Sequence, residues 1–328
     1  MRVGILGAGD MGRVHAMAYR AMAGVEIAGI AGRSDVRANQ LGAELGVPAT
    51  TDPWVFLDND SVDAVDVTYP SALHREWVVA ALQRGMHVFC ETPMALTLAD
   101  ADAMIDAARQ QGRILMPAQV HRFGTETAFI HAAVTSGSLG RPLVAYYGSR
   151  SPFYGAGRSR AIELYGDPIL DLMIHPFDSL NWLLGLPVSL SGTGVVGPSG
   201  SIDYALVSLA FDGASGMVEG SAMMPASFPF TVSLRVLCEE GALETQIQLG
   251  GASTPEIITL IRYPVHGEAE DLHLQGRDPY EAECEYFVRS VRGEADPALI
   301  SPAGERSTLR VALAAREAIE QGRQVSLR

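Results

Sequence analysis

The stretch RVGILGAGDMG, residues 2–12, constrains the fold more than any other part of the chain. An apolar strand pattern runs straight into Gly7, Gly9 and Gly12, and a helix-like pattern follows from Gly12 to Ala23. In such a strand–turn–helix unit the first glycine permits a tight turn. The second lets a pyrophosphate approach the backbone, and the third lets the helix lie close on the strand. The helix start also offers free N–H groups and the positive end of its dipole. Gly7, Ala8, Gly9, Asp10, Met11 and Gly12 are therefore the expected dinucleotide cradle.

The same rhythm continues through the first third of the chain. VEIAGIAG reads as a second strand and Ser34 to Leu45 as a helix; AVDVTYP is a strand, His74 to Arg84 a helix, HVFCE a strand, Leu98 to Gln110 a helix and RILMPAQ a strand. Strands alternating with helices of this length indicate βαβ units and a parallel sheet. Near-continuous apolar strands such as AVDV and HVF fit burial on both faces. This predicts a Rossmann domain, a doubly wound parallel sheet, over residues 1–123.

Beyond Phe123 the pattern changes. A helix from Glu126 to Ser136 leads to GRPLVAYYGSR, then a loop containing Pro152, Gly155 and Gly157, then a helix from Ile169 to Leu184. From Leu190 to Arg262 short period-2 runs are broken by Gly, Ser and Pro, which predicts an antiparallel or mixed sheet of about six strands. Helices over Pro279–Arg292 and Gly304–Gln321 precede a short QVSLR strand. Residues 124–328 are thus expected to form a second, α/β domain on an open sheet, with its terminal helix and strand able to pack back on the first.

Composition excludes several classes. A formal charge of −14 opposes nucleic-acid binding by bulk electrostatics. No apolar run approaches the roughly 18 residues that a membrane span requires. The N-terminus enters a strand at once, without a leader pattern, so a cytoplasmic location is expected. Cys90, Cys238 and Cys284 are far apart with no CxxC, and the histidines lack metal spacing, so neither disulfides nor a metal is expected. All 24 basic residues are arginine, because the chain contains no lysine.

Cofactor choice in this fold turns on the end of the second strand, where an acid binds the ribose 2′-hydroxyl and an arginine accommodates a 2′-phosphate. Here Arg33 and Ser34 hold those positions, which favours NADP(H); Asp35, two residues on, leaves NAD(H) open. For the chemistry, DLMIHPFD places Asp171 four residues before His175 and Asp178 three after it, one face of a continuous helix. A carboxylate beside an imidazole suits proton transfer near neutral pH, although the bland reading is a packed histidine near surface acids. Pro176 disturbs such a helix. Gln119, His121 and Arg122 follow the fifth strand at the carboxyl edge, where ligands bind in these sheets. Arg150, Arg158 and Arg160 cluster in a glycine- and proline-containing region that could clamp an anionic group or form a solvated basic loop.

These stretches, taken in order, resemble the glucose-fructose oxidoreductase, inositol dehydrogenase and rhizopine-catabolism (Gfo/Idh/MocA) family. The resemblance runs from GAGDMGRVHA through TYPSALHREWVVAALQRGMHVFCETP, QVHRF and SGSLGRPL to LDLMIHPFDSLNWLLG and DPYEAECEYFVRSVRGE. It implies NAD(P)-dependent interconversion of a hydroxyl and a ketone on a sugar, cyclitol or related polyol by a homodimer or homotetramer. It also implies His175 as the acid/base with Asp171 as its partner, and Thr68, Tyr69, Pro70, His74 and Glu91 on the cofactor side.

At one position the resemblance breaks. Thr92 stands where the family's Glu-Lys-Pro tripeptide carries a lysine whose charge assists alkoxide formation. Loss of that charge in a closed site costs about 2 to 4 kcal/mol of transition-state stabilisation, roughly 30- to 1,000-fold in rate. With no lysine elsewhere, either an arginine supplies the charge, Arg122 or one of Arg150, Arg158 and Arg160, or the chemistry runs without it. The departure keeps two other expectations in view: a non-catalytic NAD(P)-binding sensor or regulatory subunit, and a lyase or glycosidase using transient oxidation by a held cofactor.

Overall fold

The computed structural model describes residues 1–152, 162–249 and 256–328. These divide into two compact units, Met1–Phe123 with Arg277–Arg306, and Gly124–Gly276 with Ser307–Arg328. Arg158 and Arg160 lie outside the described residues. No helix among the described residues is long and apolar enough to cross a membrane.

The first unit is built on a six-stranded parallel sheet. Its strands are β1 (Arg2–Leu6), β2 (Glu26–Ala31), β3 (Ala49–Thr50), β4 (Ala64–Val67), β5 (His87–Cys90) and β6 (Leu115–Pro117), in the order β3-β2-β1-β4-β5-β6. The crossovers carry α1 (Asp10–Arg20), α2 (Asp35–Leu45), α3 (Trp54–Leu57), α4 (His74–Gln83) and α5 (Leu98–Gln111). The chain steps outward from β1 to β3 and then returns to β1's other side with β4. The carboxyl ends of β1 and β4 therefore flank the switch point at which ligands bind in open α/β sheets. The two-residue strand β3 left no period in the sequence.

In the second unit a nine-stranded sheet carries α6 (Thr125–Thr135), α7 (Ile162–Tyr165), α8 (Pro168–Asp171) and α9 (Ile174–Leu184). The strands are β7 (Pro142–Pro152), β8 (Ser189–Val196), β9 (Ile202–Ala210), β10 (Ser215–Met224), β11 (Thr231–Cys238), β12 (Gly241–Gln248), β13 (Ile257–Pro264), β14 (Glu270–Asp271) and β15 (Val325–Ser326). Among the described strands of this sheet only β7 and β10 pair in parallel, so the sheet is mixed.

The last two helices are α10 (Pro279–Val291) and α11 (Pro302–Gln321). In the first unit α10 lays Cys284, Phe287 and Val288 into the core formed by Val3, Ile5, Tyr19, Ile30 and Phe89. Phe287 is fully buried and stacks on Phe89 with ring centroids 5.2 Å apart. Burying one such ring contributes about 1.5 to 3 kcal/mol. All three cysteines are free and buried.

Candidate functional site

In the first unit the glycine turn behaves as its spacing predicts. Gly7 has φ +148, and a Cβ there would lie 2.1 Å from Thr68 Oγ1. A Cβ on Gly12 would lie 2.0 Å from the Gly7 carbonyl oxygen. Both positions are closed to any side chain by backbone and by the residue that follows β4. Gly9 differs: it is extended at φ −90, ψ −171, caps α1 without any side-chain hydrogen bond, and a Cβ added there meets nothing within 4 Å. The start of α1 therefore borders open space at Gly9, by the switch point, a cradle that fits the pyrophosphate of NAD(P). Asp10 and Met11 open that helix.

Around the cradle, Arg33 and Ser34 are exposed at the end of β2, and Ser34 caps α2 by accepting from the Arg37 N–H. Asp35 turns along its own helix, where its Oδ1 accepts from Asn39 Nδ2 at 2.9 Å. Tyr69 is buried beside Arg33: burial pushes its hydroxyl up to about 12, against the pull of the guanidinium. Thr68 follows β4, its N–H donating to Leu6 O at 2.9 Å. Pro70, at φ −56 and ψ 141, opens a 3-10 turn over Ser71–Leu73.

His74 and Gln119 stand behind this surface. His74 has no exposed area; its Nε2 lies 2.7 Å from Tyr69 O and its Nδ1 3.1 Å from Pro93 O. It fastens the segment after β4 to the segment after β5, and burial holds its pKa below the usual histidine value. Gln119 is 2% exposed and donates to the buried carboxylate of Glu305 at the start of α11, which also accepts from Met94 N at 3.4 Å. Neither side chain presents a polar atom at the surface, so both shape the cradle from within. Arg122 is half-buried, and its Nη1 donates to Leu299 O at 2.6 Å.

Glu91 and Thr92 follow β5, and Glu91 Oε2 accepts from the Thr92 N–H at 2.8 Å. Beneath them lies a cluster around His15, whose place at the start of a helix beside the cofactor loops suggests packing or capping rather than catalysis. His15 on α1 is fully buried, with Nδ1 3.0 Å from Asp66 Oδ2, and Nε2 3.3 Å from Glu91 Oε1 and 3.8 Å from Glu283 Oε1. Asp66 in AVDV and Glu283 in AECEYF were legible as acids inside apolar patterns. A charge in a strand buried on both faces requires a partner.

In the second unit the expected helix over Ile169–Leu184 is broken. Asp171 ends α8, Leu172 and Met173 intervene, and His175 is the second residue of α9. Pro176 is third, where its missing N–H costs nothing because first-turn amides have no intrahelical acceptor. Asp171 and His175 therefore stand on two helices flanking a turn rather than on one helical face. Asp167 caps α8 by accepting from Leu170 N at 3.1 Å and pairs with Arg316 Nη1 at 3.2 Å, which fixes the turn's approach. Asp178 points into the interior at 1% exposure, where it accepts from Thr308 Oγ1 at 3.3 Å.

Arg150 corrects another expectation. It lies in β7, paired with Ser221, while Gly220 of β10 backs directly onto Met173 in the turn between α8 and α9. Alternation along the strand places Arg150 and Ser221 on the opposite face of the sheet from that turn. There Arg150 Nη2 donates to Ser233 Oγ at 2.8 Å, and the guanidinium lies 5.9 Å from the Phe228 ring centroid. It does not join Asp171 and His175.

Comparison with known proteins agrees with this geometry. Residues 1–119 match the family model described as "Oxidoreductase family, NAD-binding Rossmann fold", and residues 127–244 match the "GFO/IDH/MocA C-terminal domain". The chain is 28% identical to myo-inositol 2-dehydrogenase of Thermotoga maritima, covering 100% of this chain and 98% of that one. It is 29% identical to D-xylose 1-dehydrogenase (NADP(+)) 2 of Haloferax volcanii, covering both chains in full (100% of each). The crystal structure of UDP-N-acetylglucosamine 3-dehydrogenase from Acidithiobacillus ferrooxidans matches with a TM-score of 0.82 at 26% identity, over 98% of each chain. With the NAD(P) cradle at its switch point and both family domains in order, the chain belongs to the Gfo/Idh/MocA family of NAD(P)-binding oxidoreductases.

Proposed function

We propose that this dehydrogenase interconverts a secondary hydroxyl and a ketone on a sugar, cyclitol or related polyol, with NADP(H) as the preferred nucleotide. The observation that carries the reading is the uncapped start of α1 facing open space at Gly9. The substrate class rests on relatives named for myo-inositol, D-xylose and a UDP-sugar. A purely regulatory role is not favoured, since these relatives are dehydrogenases. The nucleotide preference rests on Arg33 and Ser34 at the end of β2, with Asp35 engaged by Asn39.

In this reading Gly7 to Gly12 and the N-terminus of α1 hold the pyrophosphate, Arg33 and Ser34 hold the adenosine ribose, and Thr68, Tyr69, Pro70 and Glu91 line the remaining length. When bound, NAD(P) supplies the hydride acceptor or donor. His175 takes the proton of the substrate hydroxyl during oxidation and returns it during reduction, and Asp171 orients the ring. Thr92 donates a hydrogen bond to the substrate oxygen in place of a lysine's charge. The exposed apolar residues Val144, Leu206, Met217 and Leu237 on the large sheet suit a homodimer or homotetramer.

Absorbance at the nicotinamide band, followed with NADP+ and NAD+ against inositols, aldoses and nucleotide sugars, tests the proposal. Turnover of at least one compound is expected, and His175→Ala is expected to lower kcat by about 100- to 10,000-fold. Tight NADPH binding with no turnover across the panel would refute it.

A further inference from the structure

The cluster beneath the Glu91–Thr92–Pro93 turn is unusual in its charge. Three carboxyl groups, Asp66 from β4, Glu91 after β5 and Glu283 from α10, surround one imidazole, that of His15 from α1. Asp66, Glu283 and His15 are each exposed by 1% or less. Both ring nitrogens of His15 face carboxylate oxygens, Nδ1 at 3.0 Å and Nε2 at 3.3 Å. A neutral imidazole offers one N–H and one lone pair, so it would set that lone pair against a carboxylate. Only the doubly protonated ring sets no lone pair against a carboxylate; Nδ1 is hydrogen-bonded to Asp66, and Nε2 meets Glu91 as an ion pair rather than an aligned hydrogen bond. Phe89 supports the charge from one face, 5.4 Å between ring centroids, and Tyr280 lies at 6.4 Å.

One cation balances at most one of three acids. Asp66 is within 3.2 Å of Nδ1 through both oxygens, and Glu91 is partly exposed and bonded to the Thr92 N–H. Glu283 has neither advantage: both of its oxygens lack a hydrogen-bond partner among the described residues, and His15 is 3.8 Å away. An ionised carboxylate so placed would be strongly unfavourable, and the group neutralises instead.

We propose that His15 is a positioning residue of the cofactor side: a buried imidazolium that ties Asp66 to Glu91 and so fixes the turn carrying Thr92, while Glu283 stays protonated beside it. The role rests on the reading that Glu91 and Thr92 border the nicotinamide nucleotide. Electrostatics agree with the geometry. Burial works against a charge on His15, but Asp66 and Glu91 outweigh it and hold the ring well above the usual histidine value. Burial pushes the Glu283 carboxyl well above the usual range; His15 pulls it down, and Glu91, Asp66 and Asp278 push it further up. The other titratable groups packed here, Tyr19, Tyr280, Cys90 and Cys284, are all pushed upward and stay neutral near pH 7. Of these groups His15 is the one that carries a positive charge, and it holds that charge well past the ordinary histidine range.

Nitrogen-15 NMR of histidine-labelled wild-type protein, with His15 assigned by its loss in His15→Gln, tests the charge directly. Both ring nitrogens are expected to carry protons at pH 7.5. A single neutral tautomer there would overturn the proposal. So would stoichiometric zinc in the purified protein, because His15 Nδ1, Asp66 and Cys284 place ligand atoms within 4.8 Å of one another and a metal would displace the proton.

Fluorescence titration with NADPH then tests the positioning. Wild-type affinity is expected to weaken as pH rises through the His15 transition. His15→Gln is expected to bind about tenfold more weakly at pH 7, the scale of one charge-assisted hydrogen bond, with no such pH dependence. A lower melting temperature with unchanged affinity and pH profile would reduce His15 to packing and sink the role. Wild-type protein that binds neither NADPH nor NADH would instead refute the functional reading and the role with it, leaving the NMR result to decide the charge. Glu283→Gln replaces a neutral acid by a neutral amide and is expected to melt within about 2 °C of wild type. A larger fall would show that Glu283 is ionised.

Discussion

The glycines of the first turn offer a test that separates folding from function, because Gly9 and Gly12 differ in what surrounds them. At Gly9 the backbone is extended at φ −90, ψ −171, which alanine adopts freely, and the added Cβ meets nothing within 4 Å. Gly9→Ala should therefore leave the fold intact. By restricting the unfolded chain it should stabilise by about 0.4 to 1 kcal/mol, raising the melting temperature by roughly 1 to 4 °C. In the proposed site the same methyl group would occupy the space the pyrophosphate requires. Pushing the anion off the helix start removes charge-assisted hydrogen bonds of about 1.5 to 3 kcal/mol, roughly 10- to 100-fold in affinity. Gly12→Ala should behave in the opposite sense. Its Cβ would lie 2.0 Å from the Gly7 carbonyl oxygen, so helix and strand must separate, at a cost of about 1 to 3 kcal/mol or more before any ligand is added. Differential scanning calorimetry and NADPH fluorescence titration on the two variants measure both quantities. If Gly9→Ala binds NADPH as wild type does, the cradle is not where the pyrophosphate sits, and the assignment of the site fails with it.

Three further outcomes are expected. Thr92→Lys should raise kcat by about 30- to 1,000-fold on the best substrate if the missing charge limits the chemistry; no gain in steady-state rate would show that the protein has another means of stabilising the alkoxide. Arg33→Ala should lower NADPH affinity while sparing NADH, read by parallel fluorescence titrations, and equal losses would remove Arg33 from the 2′-phosphate site. Stability should fall as pH rises above neutrality. His15 has a folded value raised above its usual 6.5, so its contribution is complete below that value and is lost as pH climbs through the raised one. Glu283, raised above its usual 4.5, favours the folded state less and less over the same climb, because the unfolded chain has already released that proton. A melting temperature that rises from pH 7 to 9 would contradict both assignments.

Sequence was most informative where a steric demand is local. Gly7 and Gly12 are glycines because particular backbone and side-chain atoms lie within about 2 Å of any Cβ, and that demand travels with the spacing of the motif. The parallel sheet was readable for a similar reason, since each βαβ unit carries its own alternation. Spacing failed where it assumed a continuous helix: Leu172 and Met173 break the run between Asp171 and His175, and nothing in DLMIHPFD except Pro176 signals it. Arg150 was grouped with the region after the strand, although it closes the run GRPLVAYYGSR; β7 continues to Pro152, and its alternation sets Arg150 opposite the buried Tyr147 and Ser149. The His15 cluster lay beyond reach for a different reason. Its members come from α1, β4, the end of β5 and α10, up to 268 positions apart in a 328-residue chain, and only tertiary packing brings them together.

The cluster also bears on the missing lysine. With Glu283 neutral, His15 brings one positive charge against the carboxylates of Asp66 and Glu91, which leaves one net negative charge beneath the turn. That surplus lies against the residue preceding Thr92, whose N–H already engages Glu91. A lysine at position 92 would cancel it, and the threonine leaves it uncancelled. Of the described arginines considered at the outset, Arg150 lies on the far face of its sheet, and Arg122 Nη1 donates to Leu299 O. In the proposed site, an uncancelled negative charge here would favour the oxidised, cationic nicotinamide over the reduced, neutral one. The same charge disfavours an alkoxide on the substrate. Binding of the oxidised nucleotide and the rate of proton removal should therefore respond in opposite directions to Thr92→Lys. Tighter NADP+ binding in the lysine variant would show that the surplus charge does not reach the ring.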